Sequence, residues 1–178
     1  MDRVLSGLRK RYGKVPLLQP ALTSTDFAPV RGGRRSEVAM GIRRPSGGIL
    51  LQTKAFYPPA TFRLPTGGIK EGEDVEHALL REVYEESNLG VEIERAVAVI
   101  EYTAPDGRAA FRTYLFLLRE TGGVLTVNDP DEQISGWEER DLAGLARAVE
   151  QLRGLAGGWR RWGRFRAVPL DVLIHALG

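Results

Sequence analysis

The run Tyr114 to Leu118 is apolar at every position, so a strand formed there presents hydrophobic side chains to both of its faces. Such a strand belongs in the middle of a sheet that is covered on two sides. The expected fold class is therefore α/β, a mixed β-sheet between helical layers in an α/β/α sandwich. The runs Arg95 to Thr103 and Ala109 to Leu118 are rich in β-branched and aromatic residues and flank Pro105-Asp106-Gly107, the pattern of an antiparallel pair. With 178 residues and 43% hydrophobic content, the chain is able to bury one core and is too apolar to be disordered.

Around this central strand, other elements follow from periodicity and punctuation. Val4, Leu5, Leu8 and Tyr12 recur at helical spacing over residues 2 to 12, and a segment punctuated by Pro16, Pro20 and Pro29 should be extended or looped. Residues 1–33 are read as an N-terminal extension free to dock independently, and residues 34–178 as the main domain. Val38, Met40 and Ile42 alternate from Ser36 as in a strand; Pro45-Ser46-Gly47-Gly48 then turns the chain into a second strand from Ile49 to Thr53, giving a hairpin. The glycine-rich run Arg63 to Glu73 leads into a helix over 74 to 87, with Asp74 as N-cap, a buried stripe of Val75, Ala78, Leu79 and Val83, and Asn88 or Gly90 as terminator. Residues 121 to 136 read as a polar loop. Leu142, Leu145, Val149 and Leu152 trace another helix that ends near Gly154, and a last helix is expected after Pro169.

Composition narrows the chemistry. There is no cysteine, which excludes a disulfide framework, a thiolate zinc site and a cysteine nucleophile, and it points any metal chemistry to carboxylates and hard ions. No secretory leader or membrane-spanning run is legible, so a cytoplasmic, soluble protein with no membrane partner is expected. The net charge is only +2, although five arginines (Arg153, Arg160, Arg161, Arg164 and Arg166) crowd the C-terminal region. They read as a solvated basic face, and a nucleic-acid partner is not expected. Trp159 and Trp162 among them are read as packing the last helix onto the body or a partner subunit.

The chemistry-bearing pattern is in the helix over 74 to 87. Glu82, Glu85 and Glu86 stand at i, i+3 and i+4 and project from one stripe. Like charges at that spacing repel unless cations lie between them. A solvated helix with pairs such as Arg81 to Glu85 would account for the cluster alone, but the stripe adjoins the apolar face and follows a Gly-Gly turn after a hairpin, which places it in a cleft.

From Gly67 to Leu89 the chain resembles the Nudix hydrolases, whose box reads G-x5-E-x7-R-E-U-x-E-E-x-G-U with U aliphatic. Gly67, Glu73, Arg81, Glu82, Val83, Glu85, Glu86 and Leu89 match, and Asn88 replaces a glycine where a left-handed cap is needed and asparagine is the next most tolerant residue. The resemblance spans roughly residues 36 to 145. It implies hydrolysis of the diphosphate linkage in a nucleoside diphosphate derivative, with ADP-ribose-like or dinucleotide substrates favoured and nucleoside triphosphates also open. It implies Mg2+ (or Mn2+) held by Glu82, Glu85, Glu86 and the carbonyl of Gly67, with Arg81 orienting the glutamates and Glu73 bracing the loop. The general base is Glu82 or Glu132, the latter just before Trp137. A homodimer is a further implication. The alternative class is a Nudix-like nucleotide- or RNA-binding module that has lost hydrolysis, against which the complete set of carboxylates argues. An isomerase of the family would call for a catalytic cysteine.

Overall fold

The protein is described by a computed structural model covering residues 2–22, 35–103 and 109–178. Pro29 and the turn Pro105-Asp106-Gly107 lie outside the described residues. Helix α1 (Arg3–Tyr12) and the short β1 (Leu17–Leu18) precede β2 (Ser36–Arg43), β3 (Ile49–Lys54), β4 (Thr66–Gly68) and α2 (Val75–Ser87). Then come β5 (Leu89–Thr103), β6 (Ala109–Gly123), β7 (Ile134–Arg140), α3 (Leu142–Arg153) and α4 (Arg160–Leu177). The strands form one sheet in the order β1-β5-β6-β2-β3-β7, with β4 paired to β2. It is mixed, because β2 runs parallel to β6 and β1 parallel to β5 while the other pairs are antiparallel. No described helix is long and apolar enough to cross a membrane.

The doubly apolar strand lies where its pattern requires. Tyr114, Phe116 and Leu118 of β6 pack with α1 and α2, and Leu115 and Leu117 pack on the other face with α3 and α4. Strand β2 alternates in the same way: Val38, Met40 and Ile42 face α2, and Ala39 faces the opposite layer. Gly41 has no side chain because Leu173 of α4 comes so close that an added Cβ would sit 2.7 Å from its Cδ2.

Two expectations are corrected. The polar loop over 121 to 136 is shorter than expected: β6 runs to Gly123, Pro130–Glu132 forms a 3-10 turn, and β7 begins at Ile134 as the edge strand beside β3. The last helix begins at Arg160 and carries Pro169 in its interior, because Phe165, Ala167, Leu170 and Leu173 on both sides of the proline are buried and hold the helix across the missing N–H. Of the N-terminal residues described, Leu5, Leu8 and Val15 pack in the core with α2, and the Val99 N–H donates to the Pro16 carbonyl at 2.9 Å.

The hairpin exists but forks. β2 and β3 are in register only at Arg43 and Ile49, beside the turn. Beyond it the strands part, and the segment 63–68 enters the gap: Arg63 exchanges backbone bonds with Gln52 of β3 at 2.8 and 3.0 Å, and Thr66 to Gly68 pair with Ala39 to Glu37 of β2. The fork brings the glycine turn, the end of β3 and the start of β2 together beneath α2.

Candidate active site

Helix α2 is fixed at both ends. The Asp74 carboxylate accepts from the N–H groups of Glu76 and His77 at 2.9 and 3.3 Å, and Asn88 closes the helix with φ of 56°, the left-handed cap its position requires. The carbonyls of the last turn are taken by the following loop: Asn128 and Asp129 donate backbone N–H groups to the Glu85 carbonyl at 2.9 and 3.1 Å, and the Asn128 amide donates to the Tyr84 carbonyl at 2.9 Å. Docked in this way, the loop carries Glu132 towards the helix.

Glu82, Glu86 and Glu132 offer carboxylate oxygens that all lie within 4.8 Å of one another. Glu86 is 1% exposed and Glu82 5%. Gln52, at the fork, donates from Nε2 to Glu86 Oε2 at 3.2 Å, and Lys54, at the end of β3, ion-pairs with Glu132 and lies 3.8 Å from Glu86 Oε1. Burial pushes the Glu86 carboxyl up to about 8, against the pull of Arg63 and Lys54 and with help from Glu132. Burial likewise raises Glu82. At Glu132 burial acts in the same direction, but the ammonium of Lys54 outweighs it and holds that carboxylate below its ordinary range.

Arg81 is the hub of the box. Its Nε and Nη2 donate to the two oxygens of Glu73 at 2.8 and 2.9 Å, Nη1 donates to Glu82 at 2.7 Å and Glu85 at 2.9 Å, and Nη2 also donates to the Gly68 carbonyl at 2.9 Å. Arg81 thereby holds the Glu73 carboxyl down at about 2. Gly67 pairs with Val38, and a Cβ there would overlap the Glu82 carboxylate. Thus Glu82, Glu86 and Glu132 converge, while Glu85 faces Arg81 at the margin with 30% of its side chain exposed.

Beside the carboxylates is a cavity of about 160 Å³ whose lining includes Glu37, Lys54, Arg63, Gly67, Glu132 and Arg166. Four of its neighbours escaped the sequence reading: Gln52, Lys54, Arg63 and Glu37 look like ordinary strand and loop residues until the fork gathers them. Arg166, one of the five C-terminal arginines, belongs to no solvated face. Its Nη1 donates to both oxygens of buried Glu37 at 2.9 Å, and Glu37 also accepts from the Thr113 hydroxyl at 3.0 Å.

The acidic trio suits a divalent cation. Glu86 Oε1 is buried without a hydrogen-bond partner, and glycine at position 67 leaves the space that the Glu82 carboxylate occupies. The NUDIX domain family model matches residues 33–156. The chain belongs to the Nudix family. A solved structure with the same fold is an ADP-ribose pyrophosphatase from Streptococcus suis, 19% identical over 81% of this chain and 92% of that one, with a TM-score of 0.52. No curated protein sequence matches. The Nudix box thus occupies the glycine turn and α2, and the chain is of the Nudix pyrophosphohydrolase class, whose general chemistry is hydrolysis of nucleoside diphosphate linkages. Helix α1, strand β1 and helix α4 fall outside the matched segment.

Proposed function

We propose that this Nudix protein is a divalent-metal-dependent hydrolase of the diphosphate linkage in a nucleoside diphosphate derivative, with ADP-ribose-like or dinucleotide substrates favoured. The convergence of Glu82, Glu86 and Glu132 within 4.8 Å carries the reading. The fold shared with an ADP-ribose pyrophosphatase supports the substrate class.

Glu82 and Glu86 would hold Mg2+ or Mn2+, with Glu85 and the Gly67 carbonyl at the margin, and the ion supplies charge neutralisation of the diphosphate and a more acidic water. Glu132 is the carboxylate held ionised by Lys54. It is therefore the group ready to accept a proton from the attacking water, and the docked loop sets its position. Arg81 fixes the rotamer of Glu82, and Glu73 fixes Arg81.

The test is a hydrolysis panel with Mg2+ or Mn2+ over ADP-ribose, NADH, diadenosine polyphosphates, nucleotide sugars and nucleoside triphosphates, with Glu86→Gln as control. The expected result is turnover of one class, lowered at least ~100-fold in the variant. Near-normal turnover by Glu86→Gln with metal bound overturns the assignment.

A further inference from the structure

Most of the charges around the cavity are paired. Arg166 has Glu37, and Lys54 has Glu132 and Glu86. Arg63 is different: it is only 3% exposed, yet no carboxylate of the described residues lies within ion-pairing distance of it. Its bonds go to neutral acceptors. Nε donates to the Tyr57 hydroxyl at 2.7 Å, and Nη1 donates to the Leu64 carbonyl at 2.6 Å and the Thr66 hydroxyl at 2.9 Å. Nη2 has no hydrogen-bond acceptor among the described residues. Glu86 and Glu37 act on this guanidinium only through space, and an anion bonded to it from the adjoining space would offset more of its desolvation cost.

The guanidinium is also held rigidly. Tyr57 lies against Trp162, with ring centroids 4.6 Å apart, and against Trp159 at 6.0 Å, and the two tryptophans meet at 5.2 Å. Trp159 immediately precedes α4 and Trp162 lies in it, so a helix outside the family-matched segment fixes the hydroxyl that fixes Arg63. Arg166 lies one turn after Trp162 and reaches the same cavity. At about 160 Å³ the cavity is well below the roughly 300–1,000 Å³ of pockets that enclose whole ligands, so it admits a phosphoryl-sized group and leaves a nucleoside outside.

We propose that Arg63 is an anion-binding residue of this site, donating from Nη2 to a phosphoryl oxygen of the substrate's diphosphate, with Tyr57 as its positioning residue clamped by Trp159 and Trp162. The proposal rests on the reading of the substrate as a diphosphate ester. It assigns α4 to substrate binding and makes affinity for the diphosphate depend on a part of the chain remote from the box. Arginine suits the role because its fork is used on two sides by the protein and has a third donor edge for the ligand.

The experiment is calorimetric titration of the full chain with inorganic pyrophosphate, once in saturating Mg2+ and once in chelator, for wild type, Arg63→Gln, Arg63→Lys and Tyr57→Phe, with thermal melting of each as a check on folding. Arg63→Gln is expected to weaken binding about tenfold or more in both conditions, the size of one charge-assisted hydrogen bond. Arg63→Lys should recover part of the loss, since it keeps the charge without the fork. Tyr57→Phe leaves the charge in place and should weaken binding by about threefold, so it serves if Arg63→Gln does not fold. Wild-type affinity in folded Arg63→Gln or Arg63→Lys, or no pyrophosphate binding by wild type in either condition, overturns the proposal. If the substrate panel shows no hydrolysis but pyrophosphate binding still depends on Arg63, the hydrolase reading fails and the anion site stands. If hydrolysis is found and Arg63→Gln binds normally, the reverse holds.

Discussion

A Cβ added to Gly67 would occupy the space now filled by the Glu82 carboxylate. The two residues belong to different elements, β4 and α2, so the missing side chain at Gly67 is what lets the glycine turn and the acidic stripe lie this near. Gly67 sits in a regular antiparallel pairing with Val38, so alanine there is compatible with the strand. The penalty falls on Glu82, which is 5% exposed and has little room to move. Gly67→Ala is expected to reduce Mn2+ affinity or turnover about 10–100-fold, as when the support of a metal ligand is lost, with a melting temperature close to wild type. Unchanged Mn2+ affinity, measured by electron paramagnetic resonance titration, would show that Glu82 is not held where the ion binds.

The buried Glu86 carboxyl gives the metal-free protein a distinctive pH dependence. Its folded value is about 8 against an ordinary 4.5, so between those limits the folded state keeps a proton that the unfolded state has lost. Stability must therefore fall as pH rises from about 4.5 to about 8, by up to ~1.4 kcal/mol per pH unit from this group. A divalent ion has to displace the same proton, so its affinity should climb over the same window. Melting curves in chelator at several pH values test this. The Glu86→Gln variant should lose the slope, and equal slopes in both proteins would refute the assignment.

Glu73 works in the opposite sense. Arg81 holds its carboxyl at about 2, so the contribution of the pair is fully present above about 4.5 and is lost as pH falls from there towards 2. Glu73→Gln should therefore be less stable than wild type at neutral pH, and the difference should shrink towards zero at pH 2 when followed by circular dichroism. Arg81 keeps Glu82 and Glu85 in the variant, so turnover should fall by about tenfold, less than for Glu86→Gln. A difference between the two proteins that is constant with pH would mean that the Glu73–Arg81 pair is energetically idle.

What the sequence disclosed and what it concealed follow a physical division. Patterns confined to one element were legible: the doubly apolar Tyr114 to Leu118, the Asp74 and Asn88 caps, and the box spacing that sets Glu82 and Glu86 on one stripe. Arrangements made between elements were not. The hairpin was visible, but the fork that admits Arg63 beside Gln52 depends on backbone pairings of the segment 63–68, for which no side-chain period exists. Strand β7 carries only Ile134 and Trp137 as strand-like residues, because an edge strand half open to water needs few. Pro169 argued for a helix start, yet packing on both sides of it outweighs the lost hydrogen bond. Glu132 was a candidate from its place before Trp137, while the loop bonds that aim it, from Asn128 and Asp129 to the end of α2, carry only the faint signal of Asn-Asp-Pro.

The N-terminal helix offers the sharpest test of where the folded unit begins. The family match starts at residue 33, and composition alone marks residues 1–33 as an extension. Leu8, however, is 5% exposed and lies in the core that holds α2, and Asp2 ion-pairs with Arg112 of β6, which also binds Glu101. If α1 is part of the cooperative unit, Leu8→Ala leaves a cavity beside α2 and lowers unfolding free energy by about 2–5 kcal/mol, the usual range for a buried leucine. Urea unfolding followed by tryptophan fluorescence measures it, since none of the three tryptophans is in α1 and the signal reports the body of the protein. A change below ~0.5 kcal/mol, the range of a surface substitution, would mean that the helix rests on the sheet without stabilising it and that residues 1–33 are an appendage.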